Sequence, residues 1–472
     1  MLLPPIPYLS GFYTIIVILT LGALISVILD KEKFRPAITA ISEVVLFIAL
    51  IYIWDMPTHV SIDVIFDEFS RFLSFIFVFS SLLIILGLHR ELEDVVRYGL
   101  AVALILTANI GMIIAASSLN IVYIVVGWEL AGISTYAVIA SRRTDPVAIE
   151  AAMKFFIVGS IGFGLSLFGI SLIYGSTGSL YLPEIADKIQ LHMYDFNLLF
   201  TGILILIAGM GFKMAIVPFH VWIPDTYEGA ANSITSFLAA ASKTMAFAVG
   251  LRIFYRGLFP VSNIWSPLFA VLAVITMTYA NIAAIVQSKM KRLLAWSSIA
   301  HAGYVLLLFG AYGSSVNLLA GGLLHIFMHA IMKIMAFMAA IYITWIIGSD
   351  LIADYAGLGK QQKLVSLLLT IDLLAMAGIP PLGGFVSKWI LFLGVIESGY
   401  VWLALAGAIN SAISLYYYAR IIAYMYFYEG KKYDVEKKPT LFLIPMIIST
   451  VVIIGVGITP EPLLAYLRTI SP

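Results

Sequence analysis

Long apolar runs separated by short polar segments recur along the whole chain. About twenty apolar residues are enough to cross a bilayer. On that ruler the pattern predicts about fourteen membrane-spanning helices, at 12–30, 36–54, 69–88, 98–117, 120–140, 151–174, 196–217, 230–255, 265–286, 293–311, 317–347, 364–397, 401–426 and 441–459. The connectors are mostly short, so one compact all-α integral membrane domain is expected. Residues Met1 to Ser10 carry neither a basic region nor a small-residue cleavage site, so the run from Phe12 to Leu29 reads as a retained span rather than a signal peptide.

The basic residues between spans are unevenly placed. The odd-numbered connectors hold sixteen of them, including Lys31, Lys33 and Arg35, Arg142 and Arg143, Lys289, Lys291 and Arg292, and Lys437 and Lys438. The even-numbered connectors and the C-terminal tail hold only Lys188, Arg256 and Arg468. By the positive-inside rule the odd connectors face the cytoplasm and both termini face outward. A missed or invented span would scramble this alternation, so the asymmetry also supports the count of spans.

Composition narrows the class further. Of 472 residues 62% are hydrophobic, 11% are charged, and the net charge is +1. Neither nucleic acid nor an acidic partner is indicated. The chain has no cysteine, which excludes disulfides, thiolate-bound zinc and cysteine-held iron–sulfur clusters within it.

Eight basic residues lie outside the connectors: Arg71, Lys154, Lys213, Lys243, Arg252, Lys333, Lys388 and Arg420. Arg71, Arg252 and Arg420 lie near span ends, where a long side chain reaches the interface by snorkelling. Lys154 stands four residues after Glu150, a spacing that pairs opposite charges on one helix face. Lys213, Lys243, Lys333 and Lys388 lie about two helical turns or more from any interface, and a lysine at membrane depth costs roughly 2.5–3.5 kcal/mol on insertion scales. One acid, Glu129, sits mid-span in Gly127-Trp-Glu-Leu-Ala131.

The chain also echoes itself. Trp128-Glu-Leu-Ala-Gly-Ile-Ser-Thr-Tyr136 reappears as Trp296-Ser-Ser-Ile-Ala-His-Ala-Gly-Tyr304, an offset of 168. Met153-Lys154 reappears as Met332-Lys333, and Gly211-Phe212 with Lys213 as Gly384-Phe385 with Lys388. Spans four to eight then correspond to nine to thirteen, and because five is odd the copies are inverted. The implied organisation is N-terminal helices in 1–97, a first repeat in 98–257, a second in 265–426 and a final helix in 440–472. Inverted repeats with broken helices at matching places mark an ion path. Here the breaks are expected at Gly209/Gly211/Pro218 in span seven and at Gly378-Ile-Pro-Pro-Leu-Gly-Gly384 in span twelve.

Glutamate, lysine and histidine at membrane depth suit proton transfer, because burial and a nearby opposite charge push their proton affinities in opposite directions. Glu129 and Lys213 are the natural pair, with Lys243 next. His325, His329 and Lys333 recur every four residues and form one polar stripe. His301 and Lys388 would complete a second site. The plainer readings are packing roles for His220 and His301, an interface ion pair for Lys154, a structural part for Glu43 and Asp372, and ordinary loop positions for Asp225 and Glu228. A haem-carrying cytochrome using His301 with His325 or His329 is a further alternative, and it would show a Soret band in the purified protein.

These residues resemble a known family. Gly127-Trp-Glu, Gly211-Phe-Lys with Pro218-Phe-His-Val-Trp-Ile-Pro-Asp225, Ala295-Trp-Ser-Ser-Ile-Ala-His-Ala-Gly-Tyr304 and Gly378-Ile-Pro-Pro-Leu-Gly-Gly-Phe-Val-Ser-Lys388 look like the antiporter-like membrane subunits of respiratory complex I. Subunits of membrane-bound hydrogenases and of multisubunit Na+/H+ antiporters share the family. The resemblance covers roughly residues 60 to 425. It implies a proton-translocating subunit of an NADH-quinone oxidoreductase-like translocase in a prokaryotic cell membrane or an inner organellar membrane. Glu129 and Lys213 would be the coupling pair, Lys243 the central relay, and His325, His329 and Lys333 the link to Lys388 at the exit. Lysine at both 243 and 388 is most similar to the N-type subunit. Ending at Pro472, the chain is expected to lack the long lateral helix of the L-type subunit. No cofactor is expected in this chain; flavin, iron–sulfur clusters and quinone would belong to partner subunits, among them further antiporter-like subunits.

Overall fold

A computed structural model describes residues 11–55, 58–60, 63–91, 97–141, 145–313, 315–433 and 440–472. The segment Met1 to Ser10 and the basic residues Arg142, Arg143, Lys437 and Lys438, used above for topology, lie outside the described residues.

Apart from a small antiparallel pairing of His59–Val60 with Ile65–Phe66, the regular structure is helical. The helices are α1 (Gly11–Ile28), α2 (Arg35–Asp55), α3 (Glu68–Glu91), α4 (Tyr98–Ser117), α5 (Ile121–Ile139), α6 (Pro146–Thr177), α7 (Leu182–Gln190), α8 (Phe196–Met214) and α9 (Trp222–Gly229). They continue as α10 (Asn232–Gly257), α11 (Phe259–Ile285), α12 (Met290–Gly310), α13 (Val316–Ile347), α14 (Lys363–Ala377), α15 (Gly383–Glu397), α16 (Val401–Phe427), α17 (Leu443–Ile458) and α18 (Glu461–Leu467). Among the described residues eleven helices are long and apolar enough to cross a membrane, or twelve if α17 and α18, bent by 85° at their junction, count as one span. The chain is a multi-pass helical membrane protein.

Two features separate this count from the apolar pattern. The stretch at 364–397 is two helices of 15 residues each, interrupted at Gly378–Leu382. Helix α16 has 27 residues but carries Asn410, Ser411, Ser414 and Arg420, and is not among the eleven.

Local chemistry sets the helix ends. Asp145 caps α6 by accepting from Val147 N at 3.0 Å, with Pro146 in the first turn, and Gly178 at φ +66° closes it. Ser315 and Gly348 (φ +73°) bound α13 in the same way. Both helices have 32 residues. That is about 48 Å of helix against a hydrocarbon layer of about 30 Å, so each tilts or projects beyond it.

Burial places the centre of the molecule. All of the most apolar window of α10 and 94% of that of α12 are buried, against 28% for the second span. Helices α10 and α12 therefore form the centre of the core, with α13 packed beside them, and α1 and α2 lie at the edge. Helix α8, which carries Lys213, is seated on α6 through a small-residue seam. A Cβ on Gly209 would come within 2.7 Å of the Gly162 carbonyl, and one on Gly202 within 2.9 Å of the Gly169 carbonyl. Only glycine permits this approach of two backbones. Gly209 thus serves helix contact, and α8 runs unbroken through Gly209 and Gly211 to Met214. This corrects the expectation that those glycines break the span. The break begins at Ala215, which takes the left-handed conformation at φ +68°.

Helix α10 is held at both ends by α3. The Glu91 carboxylate accepts from Asn232 N at 2.6 Å and Ser233 N at 2.7 Å, which satisfies amides at the start of α10. At the other end Arg252 is fully buried and donates to both Asp67 carboxylate oxygens, to Ser70 Oγ at 2.7 Å and to the Ala116 carbonyl at 3.0 Å. Arg252 therefore does not snorkel. Nearness to a span end along the chain says nothing about which way a side chain points, and its partner lies 185 residues away. Arg420, which is partly exposed, donates to the Ile285 carbonyl at 2.7 Å and to the Gln287 carbonyl, at the end of α11.

Burial pushes the Asp67 carboxyl up, but the Arg252 guanidinium and Ser70 hold it below its usual range. Replacing Asp67 with alanine leaves a buried guanidinium without its counter-ion, an effect of about 3–5 kcal/mol. The expected outcome is a lower thermal-unfolding midpoint in detergent, largely recovered in Asp67→Ala/Arg252→Met.

Candidate functional site

Glu129, Lys213, Lys243, His301, His325, His329, Lys333 and Lys388 fall into two polar parts among the helices. The first part contains Glu129 on α5 and Lys213 in the last turn of α8. Lys213 is 3% exposed, and its ammonium lies 5.4 Å from the Phe155 ring centroid and 5.7 Å from that of Tyr136. Neither Lys213 Nζ nor Glu129 Oε2 has a hydrogen-bond partner, although the two charges act on one another. The pair faces itself without closing. Attraction between a cation and an aromatic face, roughly 0.5–2 kcal/mol, is what holds the lysine in place of a direct ion pair.

The second part is hydrogen-bonded. Lys243 follows a π-helical turn, Leu238–Ser242, within α10, a local widening common where helices carry function. Its ammonium donates to Ser298 Oγ at 2.6 Å and the Ser298 carbonyl at 3.1 Å. Ser298 Oγ in turn meets His329 Nε2 at 3.3 Å. On the neighbouring position of α12, Ser297 Oγ accepts from Lys333 Nζ at 2.6 Å and also bonds the Tyr418 hydroxyl. Tyr418 reaches His301 Nε2 at 3.5 Å, His301 Nδ1 meets His325 Nε2 at 3.2 Å, and His325 Nδ1 meets Ser387 Oγ at 3.0 Å. The two strings approach where the His301 and His329 rings lie 5.3 Å apart. Lys388, next to Ser387, donates to the Met376 carbonyl at 2.8 Å, the Ala377 carbonyl at 3.4 Å and Ser411 Oγ at 2.9 Å. The carbonyls are the free ends of α14, which carry the partial negative charge of a helix C-terminus.

Ser297, Ser298, Ser387, Ser411 and Tyr418 were missed by sequence reasoning. The Ser297-Ser298 pair beside Trp296 belongs to the repeat, but a buried serine usually bonds its own helix, as Ser42 and Ser166 do here. Only the fold shows which hydroxyls bridge helices. His220 stands apart, with its ring 5.3 Å from those of Tyr279 and Trp296 and its Nδ1 without a partner. The two helix breaks also differ in detail: Lys213 precedes the first break, whereas Lys388 follows the second.

The end of α9 beyond the first break carries an ionic cluster. Asp225 joins Lys154 at 2.8 Å to Arg292 at 3.1 Å, and Glu228 accepts from Arg292 at 2.7 Å. Lys154 also pairs with Glu150 at 2.7 Å, so it is an ion-pair residue of this cluster. Burial raises the proton affinity of Asp225 and Glu228, but Lys154, Arg292 and Lys289 more than offset it and hold both carboxyls below their ordinary values. A depressed carboxyl stabilises the fold above its unfolded value, about 4, and loses that contribution as the pH falls through its folded value. A thermal midpoint flat from neutral pH down to about 5 and falling below about 4 is therefore expected. Asp225→Asn/Glu228→Gln should flatten the acid limb, by a small amount because the pairs are partly exposed.

Residues 118–414 match the family described as NADH:quinone oxidoreductase/Mrp antiporter, TM. The chain is 37% identical over 407 residues to F(420)H(2) dehydrogenase subunit N of Methanosarcina mazei, covering 84% of this chain and 82% of that one. It is 38% identical over 406 residues to NADH-quinone oxidoreductase subunit N of Heliobacterium modesticaldum, covering 84% of each. Among solved structures it resembles a chain of respiratory complex I from Thermus thermophilus, with a TM-score of 0.78 at 25% identity, over 97% of this chain and 99% of that one. With the resemblance noted from its motifs borne out over this length, the chain belongs to the family of membrane subunits shared by NADH:quinone oxidoreductases and Mrp antiporters.

Proposed function

We propose that this chain is a proton-translocating subunit of a complex I-type respiratory oxidoreductase, moving protons outward along its buried Glu/Lys/His band. The observation that carries the reading is the network joining Lys243 and Lys333 to three histidines through serine and tyrosine hydroxyls, which both donate and accept, with Lys388 next in sequence to Ser387 at its end. Four interior lysines have no packing purpose that leucine would not serve at lower cost. In this reading the open Glu129/Lys213 pair is the coupling element. Closing it changes the charge felt by Lys243, and that change passes to the His325/His329/Lys333 stripe and on to Lys388. The finer architecture belongs to the same proposal: fourteen spans, two inverted five-helix repeats over 98–257 and 265–426, and both termini on the external side of a prokaryotic cell membrane.

Electron transfer lies in partner subunits, which would hold the flavin, iron–sulfur clusters and quinone. The chain then serves as a subunit of an oxidoreductase without a redox centre of its own. The relatives named above are N subunits of oxidoreductases, and this favours an oxidoreductase over a second reading, a hydrogenase-type complex or a multisubunit Na+/H+ antiporter. The second reading follows from the family's breadth, and it predicts sodium-dependent dissipation of a pH gradient in vesicles without an electron donor.

Lys213→Ala or Glu129→Gln, in the assembled complex, is expected to abolish proton uptake into inverted vesicles while co-purifying subunits remain at wild-type levels. Normal pumping in both variants at normal assembly would sink the reading. Ser298→Ala, which cuts the hydroxyl bridge between Lys243 and His329, should slow pumping by about a hundredfold, the lower end of what general acid–base groups contribute.

A further inference from the structure

One charged group in the core has no place in the network described above. Asp372, in the middle of α14, is fully buried, and neither of its carboxylate oxygens has a hydrogen-bond partner. A carboxylate taken out of water costs several kcal/mol unless a counter-charge or a proton compensates it. Its surroundings supply one. Met376 lies one turn further along α14, and its sulfur is 3.6 Å from Lys333 Nζ. Positions four apart share a helix face, so the Asp372 carboxylate is on the face that Lys333 touches. The two groups attract one another electrostatically.

The internal repeat makes this placement informative. Trp128-Glu129 in the first half corresponds to Trp296-Ser297 in the second. Ser297 is the group that accepts from Lys333, at 2.6 Å. Where the first half sets a carboxylate in its Trp-containing segment, the second half has a hydroxyl, which can take part in a hydrogen bond but cannot balance a charge. At the repeat offsets of 168 to 179 the residues that correspond to Asp372 are apolar or neutral, from Met193 to Leu204 apart from Asp195 at the α8 cap. The acid of the second half therefore comes from a helix that carries none at membrane depth in the first.

We propose that Asp372 is the counter-ion of Lys333, and that the two form a second open carboxylate–ammonium pair beside the histidine string. This rests on the proton-translocation reading and extends it. The pair has two states of equal net charge. With the proton on Lys333 Nζ it is ammonium and carboxylate; with the proton on an Asp372 oxygen it is amine and carboxylic acid. Moving the proton between them breaks one N–H bond and forms one O–H bond, with no net charge displaced out of the site. Asp372 thus acts through Lys333: it sets whether Lys333 presents a positive charge to Ser297 and the adjoining Tyr418–His301 string. Among the described residues Lys388 has no ion-pair partner and is held by the carbonyls of Met376 and Ala377 and by Ser411 Oγ, so in this proposal α14 serves one lysine with a charge and the next with its backbone.

The test is made in the intact complex. Asp372→Asn keeps the shape and removes the charge, and Ser297→Asp restores a carboxylate at the position where the first half has Glu129. Asp372→Asn is expected to lower proton translocation per electron by roughly tenfold, in the range of measured site couplings. Ser297→Asp/Asp372→Asn should recover most of it. In infrared difference spectra between resting and turning-over complex, a protonated-carboxyl C=O band should disappear in Asp372→Asn and be retained in Glu129→Gln. Rescue by relocation and loss of that band are readouts that a merely structural aspartate would not produce. Wild-type pumping in Asp372→Asn, in preparations where Lys213→Ala abolishes it, overturns this proposal and leaves the wider reading standing. Loss of effect in both variants overturns the wider reading as well. If Asp372→Asn prevents assembly, Lys333→Met/Asp372→Asn decides the matter: recovered assembly supports the pair, and continued failure overturns it in favour of a structural role.

Discussion

The structure depends on how a protein solvates ammonium groups where water is excluded. The four interior lysines are accommodated in three ways. Lys213 rests against two aromatic rings, Lys243 and Lys333 are held by serine hydroxyls, and Lys388 is held by the carbonyl end of an interrupted helix. None of these neutral groups cancels a full charge. Each keeps the lysine soluble in the core while leaving its protonation sensitive to what its neighbours carry. A tight, closed ion pair would be more stable and less responsive. The interruption at Gly378–Leu382 serves the same end, because it frees the last carbonyls of α14 and two of them solvate Lys388.

Much of this was legible along the chain because charge at membrane depth is costly enough to stand out. Glu129, the four lysines and the His325/His329/Lys333 stripe were found from position alone, and the fold gathers them. The unread parts share one cause. Serine and tyrosine cost little in an apolar helix, so Ser297, Ser298 and Tyr418 look no different in sequence from Ser42, which bonds its own helix. Gly209 and Gly211 invite a reading as helix breakers, yet what they relieve is crowding between α8 and its surroundings. Arg252 looks interfacial by its place along the chain and is instead fully buried with a partner far away in sequence. Long-range pairing is the information that a single apolar profile lacks.

The two halves solve one problem with different parts. In the proposed inverted repeat the polar groups differ between the halves: a glutamate in one takes the place of a serine in the other, and the lysine lies before the break in one and after it in the other. What is retained is the arrangement of a flexible cation near a helix interruption.

The clamp on α10 has a mechanical corollary. With Glu91 gripping the first amides of α10 and Asp67 gripping Arg252 at its far end, the helix that carries Lys243 is tied to α3 like a beam fixed at both supports. It cannot slide along its axis as a piston without breaking one anchorage. In the proposed translocation mechanism, transfer along the core then proceeds by side-chain rotation, proton position and the local give of the π turn beside Lys243. That mechanism asks a signal to move through a frame that stays still.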